Sequence, residues 1–490
     1  MMGIFSRKYR QLAVNIGLFA VNAVATRLVT FLLVPLYTAF MSAGEYGVAD
    51  MSLTVISLVT PLATLSVADA AVRFIVGDRA RGAEYSFVGF AITLASIALV
   101  ALLSPLLDLR VFGGLGTFKG WFVLAYAPSA LLQLCGEIAR GMGEIRLIPV
   151  CAGVSSFITC SLAVVLIGGL DMSVVGYFVS VSVGPLVAVM VYLSTGGMGR
   201  LVLNGARSIF VTVERRAHLK DLSLPMLRYA LPLIPNSLFW WVGTSINRFF
   251  ITGMLGIAAS GMFAAAAKLP NLLNTAYSVF QQAWQLSAFQ ESGKEGLGQF
   301  FSQVFCVLQA TMTVLCALIS FSAPWVATVF LQGEFYSAWP MISVLLIANL
   351  MNVFNAFYGT VYTTTMHTSY IMRTTFVGAA VCAVFTPVFI VPLGTYGACV
   401  ASVAGNALVF ALRARDSRRY VKFTVGWRIF LPTLVLLAAQ SLVTAMQVPC
   451  WHVMSGVFLI AVIVLQGLQL FPLCKNMLFN VSTRRKELGN

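Results

Sequence analysis

Fourteen times along 490 residues the chain runs nearly free of charge until Gly, Pro or a charged side chain interrupts it. Each run is near the roughly twenty apolar residues that a helix needs to cross a bilayer core. The centres lie close to Asn22, Ser57, Ala95, Leu131, Phe157, Val183, Trp240, Ala276, Cys316, Met351, Phe385, Gly405, Ala438 and Leu459. Runs of this length without strict alternation predict helices rather than a barrel, because backbone groups in lipid must be satisfied within the segment. A composition of 59% hydrophobic and 10% charged residues is more apolar than a soluble chain of this size can bury. The expected fold is therefore an all-α integral membrane protein of about fourteen transmembrane helices.

The net charge of +15 does not indicate nucleic acid, which calls for a basic face on a soluble domain. It follows the positive-inside rule instead. With the N-terminus cytoplasmic, 26 of the 31 Lys and Arg residues fall in cytoplasmic segments, including Arg413 and Arg415, and only Arg110 and Lys119 fall on the other side. The C-terminus is then cytoplasmic as well. The basic start followed by an apolar run is read as a retained first helix, since the run to Phe40 is too long for a signal peptide. Nine cysteines are scattered without a CxxC pair and three histidines lie far apart, so the cysteines read as buried small hydrophobes and no metal or cofactor is expected.

The longest internal loop separates two sets of six helices that both begin on the cytoplasmic side, a layout that suits parallel repeats. The expected organisation is 1–194 for helices one to six, a basic cytoplasmic linker over 195–225, and helices seven to twelve over 226–414. A basic loop over 415–429 and a final helix pair with a basic tail over 430–490 complete the chain. A faint internal echo supports the repeat: helix one runs through Arg27 to the outer turn SAGEYGVAD, and helix seven through Arg248 to IAASGMFAA.

Arg27, Arg248 and Lys268 fall inside helices. Each costs roughly 2.5 to 3.5 kcal/mol near the bilayer centre on the lenient insertion scale. Asp50 is the sole carboxylate at comparable depth and is the candidate charge partner, while Asp69 is spaced to pair with Arg73 one turn later. At least two cations are thus expected to await an external anion, with snorkelling as the alternative for Arg248 and Lys268. Polar residues recur with them. Helix seven carries Asn236, Ser237, Trp240, Trp241, Thr244, Asn247 and Arg248. Helix eight carries Lys268, Asn271, Asn274, Ser278, Gln281 and Gln285 at steps of three and four, and helix ten carries Asn349, Asn352, Asn355, Tyr358 and Tyr362. A stripe that long cannot face lipid, so a water-filled cavity is expected, with hydrogen bonding between helices as the competing account.

The opening NIGLFAVNAVATRLVTFLLVPLYTAFMSAGEYGVADM with PLATLSVADAAVRF, and the later YALPLIPNSLFWWVGTSINRFFITGMLGIAASGMFAAAAKLPNLLN, resemble the two half-starts of bacterial polysaccharide transporters, the O-antigen and exopolysaccharide flippases. The resemblance implies the fold of multidrug and toxin extrusion transporters and the lipid II flippase, with two six-helix lobes around a central cavity that opens alternately to each side. It also implies a bacterial inner membrane location, an undecaprenyl-pyrophosphate-linked oligosaccharide as substrate, and a polysaccharide polymerase and chain-length machinery as partners beside the membrane lipids. Many relatives carry an acid immediately before the helix-seven arginine; here that residue is Asn247, which puts a proton role for the position in doubt.

On this reading Arg27, Arg248 and Lys268 hold the pyrophosphate. Asn236, Trp240, Trp241, Thr244, Asn247, Asn271, Asn274, Gln281, Gln285, Asn349, Asn352 and Tyr358 line the sugar path. The chain has no GxxxxGK[ST] motif, so ATP is not the direct drive. Moving a net negative charge outward gains about 2.3 kcal/mol per 100 mV. A cation-coupled multidrug exporter calls instead for buried carboxylates and aromatic walls. A membrane glycan polymerase commonly uses carboxylates or an arginine-rich outer loop, whereas Glu45, Asp108, Asp171 and Glu334 are isolated in short outer loops.

Overall fold

Ser42 starts the first fully described long helix. Its hydroxyl accepts from the Glu45 backbone N–H at 3.3 Å, while the Ser42 N–H donates to Glu45 Oε2 at 2.8 Å. Two N-terminal donors that would otherwise lack partners are satisfied by this reciprocal cap. The computed structural model describes residues 31–195, 197–211, 215–291, 294–367 and 369–487. Arg27 and the helix centred on Asn22 lie outside them. Helices and turns account for the described residues, with no strand among them.

Eleven helices among the described residues are long and apolar enough to cross a membrane, and eleven of the fourteen expected centres fall within them. Two more centres, Trp240 and Ala276, fall in helices of 23 and 20 residues. These two have adequate length but are too polar to count on composition, because they carry the stripes of Asn, Gln and Thr.

The chain divides into two compact units, Met1–Ala264 and Ala265–Asn490. In the first, α1 (Phe31–Phe40) and α2 (Ala43–Ala63) are followed by α3 (Val67–Gly77), α4 (Gly82–Leu103), α5 (Lys119–Met142), α6 (Leu147–Ala163) and α7 (Ser173–Thr195). Next come α8 (Met198–Val211), α9 (Arg215–Ala230), α10 (Leu233–Leu255) and α11 (Ile257–Ala266), whose last two residues cross the division. The core joins Val67, Ala70, Ala71 and Ile75 of α3 to Leu134, Cys135, Ile138 and Ala139 of α5.

Two sequence expectations change here. The 195–225 linker is not an open loop: α8 and α9 occupy it, and α8 docks on α4 through Ser208 to Glu84 at 2.6 Å and Phe210 against Phe87. The hydrophobic face of α8 was obscured in the sequence by its basic neighbours. The division also falls at Ala264, some forty residues beyond the linker, because α10 and the start of α11 pack on α2. The expected outer turn IAASGMFAA is helical as α11. A Cβ built on Gly47 would lie 2.3 Å from the Ile257 carbonyl oxygen, and one on Gly261 would lie 2.1 Å from that of Ala43. Only glycine allows these two backbones to approach so closely.

The second unit contains α12 (Asn271–Gln290), α13 (Leu297–Phe330), α14 (Trp339–Thr364), α15 (Ser369–Leu393), α16 (Thr395–Asp416), α17 (Trp427–Ala445) and α18 (Trp451–Glu487). Phe301, Phe305, Phe354, Phe357, Phe410 and Phe430 form its aromatic centre. A buried amide chain ties the last helix pair to α13: Gln309 donates to Gln466 at 3.3 Å, Gln466 to Thr433 at 2.7 Å, and Gln440 to the Ala317 carbonyl at 3.1 Å.

Candidate functional site

Capping at Ser42 and the end of α10 at Leu255 set the heights of two charges. Asp50 lies seven residues from Ala43, and Arg248 seven residues from Leu255. At 1.5 Å per residue, each is about 10 Å inside its helix end. Arg248 Nε stands 2.5 Å from Asp50 Oδ2, with the two side chains 18% and 7% exposed. Arg248 is therefore neutralised from within the chain in this conformation, by the carboxylate expected as its candidate partner. Asn247, its neighbour, is buried.

One turn farther along α2, Trp241 is inserted against the helix. Its indole N–H lies 3.1 Å from both the Thr54 carbonyl and Ser57 Oγ. Trp241 is 5% exposed, whereas the adjacent Trp240 is 64% exposed. The first works as a packed hydrogen-bond donor and the second offers an open face.

Below this contact a cavity of about 560 Å³ opens within the first unit. Ser57, Thr60 and Thr64 of α2 and its following turn line it, with Ser66 and Asp69 at the start of α3, Ser129 and Gln133 of α5, and Asn236, Ser237 and both tryptophans of α10. Among the described residues, Asp69 is its only charged lining residue. The described part of the wall is thus polar, and acidic at one point. Among the described residues no ion pair joins Asp69 to Arg73, and Asp69 lines the cavity instead. The cause is a break between α2 and α3, where Pro61 precedes Leu65 and Ser66, both at φ +52°. Two consecutive non-glycine residues in the left-handed region cost on the order of 1–3 kcal/mol each and tend to mark functional sites.

The remaining candidates lie elsewhere. Thr244 of α10 is exposed, but its hydroxyl donates to the Trp240 carbonyl at 3.0 Å. Lys268 is half-buried in a turn between α11 and α12, not on one continuous helix with the Asn/Gln stripe. Pro270 lacks an N–H and disfavours helix in the residue before it, so the periodicity in the sequence runs across a real break. In the second unit, Asn274 donates to Asn349 at 3.1 Å and to Asn271 at 3.4 Å, and Asn352 donates to Asn274 at 3.2 Å. Part of the stripe therefore joins α12 to α14, with Asn271 and Asn352 still exposed at its edge. Gln281 and Gln285 are half-buried on α12. Tyr358 is 1% exposed and surrounded by Phe305, Phe357, Phe410 and Phe423. It lines no open path in this conformation, because rings from α13, α16 and the segment after α16 close around it.

Sequence reasoning missed Arg413. Counted with the cytoplasmic charges, it is 6% exposed within α16. Its guanidinium donates to Thr374 Oγ1 at 3.0 Å, the Asn355 carbonyl at 2.8 Å and Thr375 Oγ1 at 3.0 Å. The clue was the set of threonines at Thr374 and Thr375 in an apolar helix, which give a buried cation neutral acceptors.

Residues 12–284 match the sequence profile described as polysaccharide biosynthesis protein. Among curated protein sequences, none matches the chain. Solved structures share its fold. A multidrug resistance MATE family transporter of the MOP superfamily in an inward-facing conformation aligns at 14% identity and TM-score 0.61, covering 86% of this chain and 98% of that one. The lipid II flippase MurJ in an inward closed conformation aligns at 12% identity and TM-score 0.61, covering 93% and 99%. A MOP superfamily transporter from Pyrococcus furiosus aligns at 14% identity and TM-score 0.52, covering 83% and 96%. With apolar helices throughout, the fold of MOP superfamily transporters and a profile match over more than half its length, this multi-pass membrane protein belongs to the polysaccharide biosynthesis protein family.

Proposed function

We propose that the protein is a flippase that carries an undecaprenyl-pyrophosphate-linked oligosaccharide from the cytoplasmic to the outer leaflet of a bacterial inner membrane, supplying O-antigen, capsule or exopolysaccharide synthesis. The observation that carries this reading is the cavity of about 560 Å³ lined by hydroxyls, amides and an open tryptophan face, within the membrane helices of a polysaccharide biosynthesis family chain. Such a wall suits a glycan: many directional hydrogen bonds with an apolar platform beside them. Likeness to the lipid II flippase in fold supports the lipid-linked class.

In the mechanism, Arg248 exchanges partners. It holds Asp50 when the substrate is absent, and a pyrophosphate oxygen displaces the carboxylate when it is present, since a phosphate offers a guanidinium the same charge-assisted bonds. Lys268 and Arg27 are further cations proposed to serve the substrate, and the prenyl tail stays in lipid. A drug exporter is the second reading, favoured by one observation: an exposed carboxylate, Asp69, and Trp240 on one cavity wall, the combination that an organic cation prefers.

The test is charge reversal. Arg248→Glu and Lys268→Glu should each abolish surface polysaccharide while the protein remains in the membrane at normal level. Wild-type polysaccharide in both variants would refute the cationic role.

A further inference from the structure

Among the described residues that line it, the cavity within the first unit has a lopsided supply of hydrogen-bonding groups. Ser57 Oγ donates to the Thr54 carbonyl at 2.7 Å, Thr60 to Ile56 at 2.6 Å, Thr64 to Thr60 at 2.6 Å and Ser237 to Leu233 at 3.2 Å. The Trp241 N–H is likewise directed at Thr54 and Ser57. The hydroxyl donors are spent on the helices that carry them and the indole N–H on α2, and what the hydroxyls turn outward is oxygen lone pairs. Asp69 adds a carboxylate, which only accepts. Donors remain on Gln133, Asn236, Ser129 and Ser66. Ser66 stands apart: it is 4% exposed, its Oγ has no hydrogen-bond partner, and it lines the cavity from the strained break between α2 and α3. A buried hydroxyl without a partner costs about 1–3 kcal/mol unless something supplies one.

From this balance we propose that the cavity is a glycan subsite selective for sugars that present hydroxyl or ammonium donors, and that Asp69 makes it reject acidic sugars and phosphate. The inference rests on the flippase reading and adds to it a division of labour: the saccharide is read on this cavity wall, and the pyrophosphate is held at Arg248, which is not among the residues that line it. Ser66 bonds to a sugar hydroxyl at the helix break. Trp240 provides the flat apolar face against which a ring lies, and its π-face also attracts an ammonium group. Asp69 supplies the discrimination, since a like charge opposite a carboxylate is a repulsive element of the kind that creates specificity.

The experiment uses the full-length protein in lipid nanodiscs, free of glycoside detergent, and reads tryptophan fluorescence as the difference between wild type and Trp240→Phe. The probes are methyl glucoside, methyl glucosaminide, methyl glucuronide and sodium phosphate, with sodium and potassium chloride as arms that separate a sugar ligand from a simple cation. The glucoside and glucosaminide should produce saturating changes, with the glucuronide about tenfold weaker. Asp69→Asn should bring the glucuronide close to the glucoside, and Ser66→Ala should weaken every glycoside. Glucuronide or phosphate bound as tightly as glucoside by the wild type, a response to the chlorides alone, or no effect of Asp69→Asn on the ratio would each overturn the subsite. Flipping of a lipid-linked sugar, measured on the same preparation, tests the parent reading separately.

Discussion

Arg248 illustrates how much one contact can alter a reading. From the sequence it is an arginine in an apolar helix; beside Asp50 at 2.5 Å it is half of a largely buried ion pair. Such a pair adds little net stability, but removing one partner strands the other, at a cost of about 3 kcal/mol. Asp50→Asn and Arg248→Gln should therefore each lower the thermal midpoint of the purified protein, while the double variant recovers most of the loss. Additive losses in that cycle would mean that the charges do not interact. Asp50 could be named from the sequence because it was the only acid at the right depth. Tyr358 could not be placed, because whether a tyrosine faces water or Phe305, Phe357, Phe410 and Phe423 depends on packing between distant helices.

At the level of elements, long apolar helices were legible and their interruptions were not. Hydrophobic length predicts a span whether or not the backbone stays helical within it. The breaks at Leu65–Ser66 and at 267–270 therefore vanished into continuous runs, and with them the positions of Asp69 and Lys268. Pro61 and Pro270 were local signals, though proline also sits inside helices that continue, as at Pro128 of α5 and Pro185 of α7. The contact of α2 with α11 through Gly47 and Gly261 was equally hidden, since SAGEYGVAD and IAASGMFAA look like loops. Gly261→Leu should force these helices apart. The expected result is a lower thermal midpoint and loss of surface polysaccharide, whereas Gly253→Leu, with open space around its Cβ, should retain both. Equal behaviour of the two variants would show that the close approach is dispensable.

For the whole molecule, the count of spans, the repeated half-starts and the family profile over residues 12–284 lead to one class of protein, a multi-pass member of a polysaccharide biosynthesis family. Charge counting gave the orientation expected of it but not the local partners of the interior charges. Formal charge does not reveal that Arg248 is already paired, or that Asp69 is the charged residue among the described ones that line the cavity. The resulting account assigns sugar and phosphate to different surroundings and makes transport depend on an ion pair that opens.

The most direct measurement reconstitutes the protein into liposomes that carry a fluorescent undecaprenyl-pyrophosphate-linked sugar and follows its exposure to an impermeant quencher. Imposed membrane potentials and ion gradients are varied. Wild-type protein is expected to speed movement between leaflets well above protein-free vesicles, and Arg248→Glu to return it to that background. Movement no faster than in protein-free vesicles under every gradient, together with export of an aromatic cation by the same vesicles, would contradict the account.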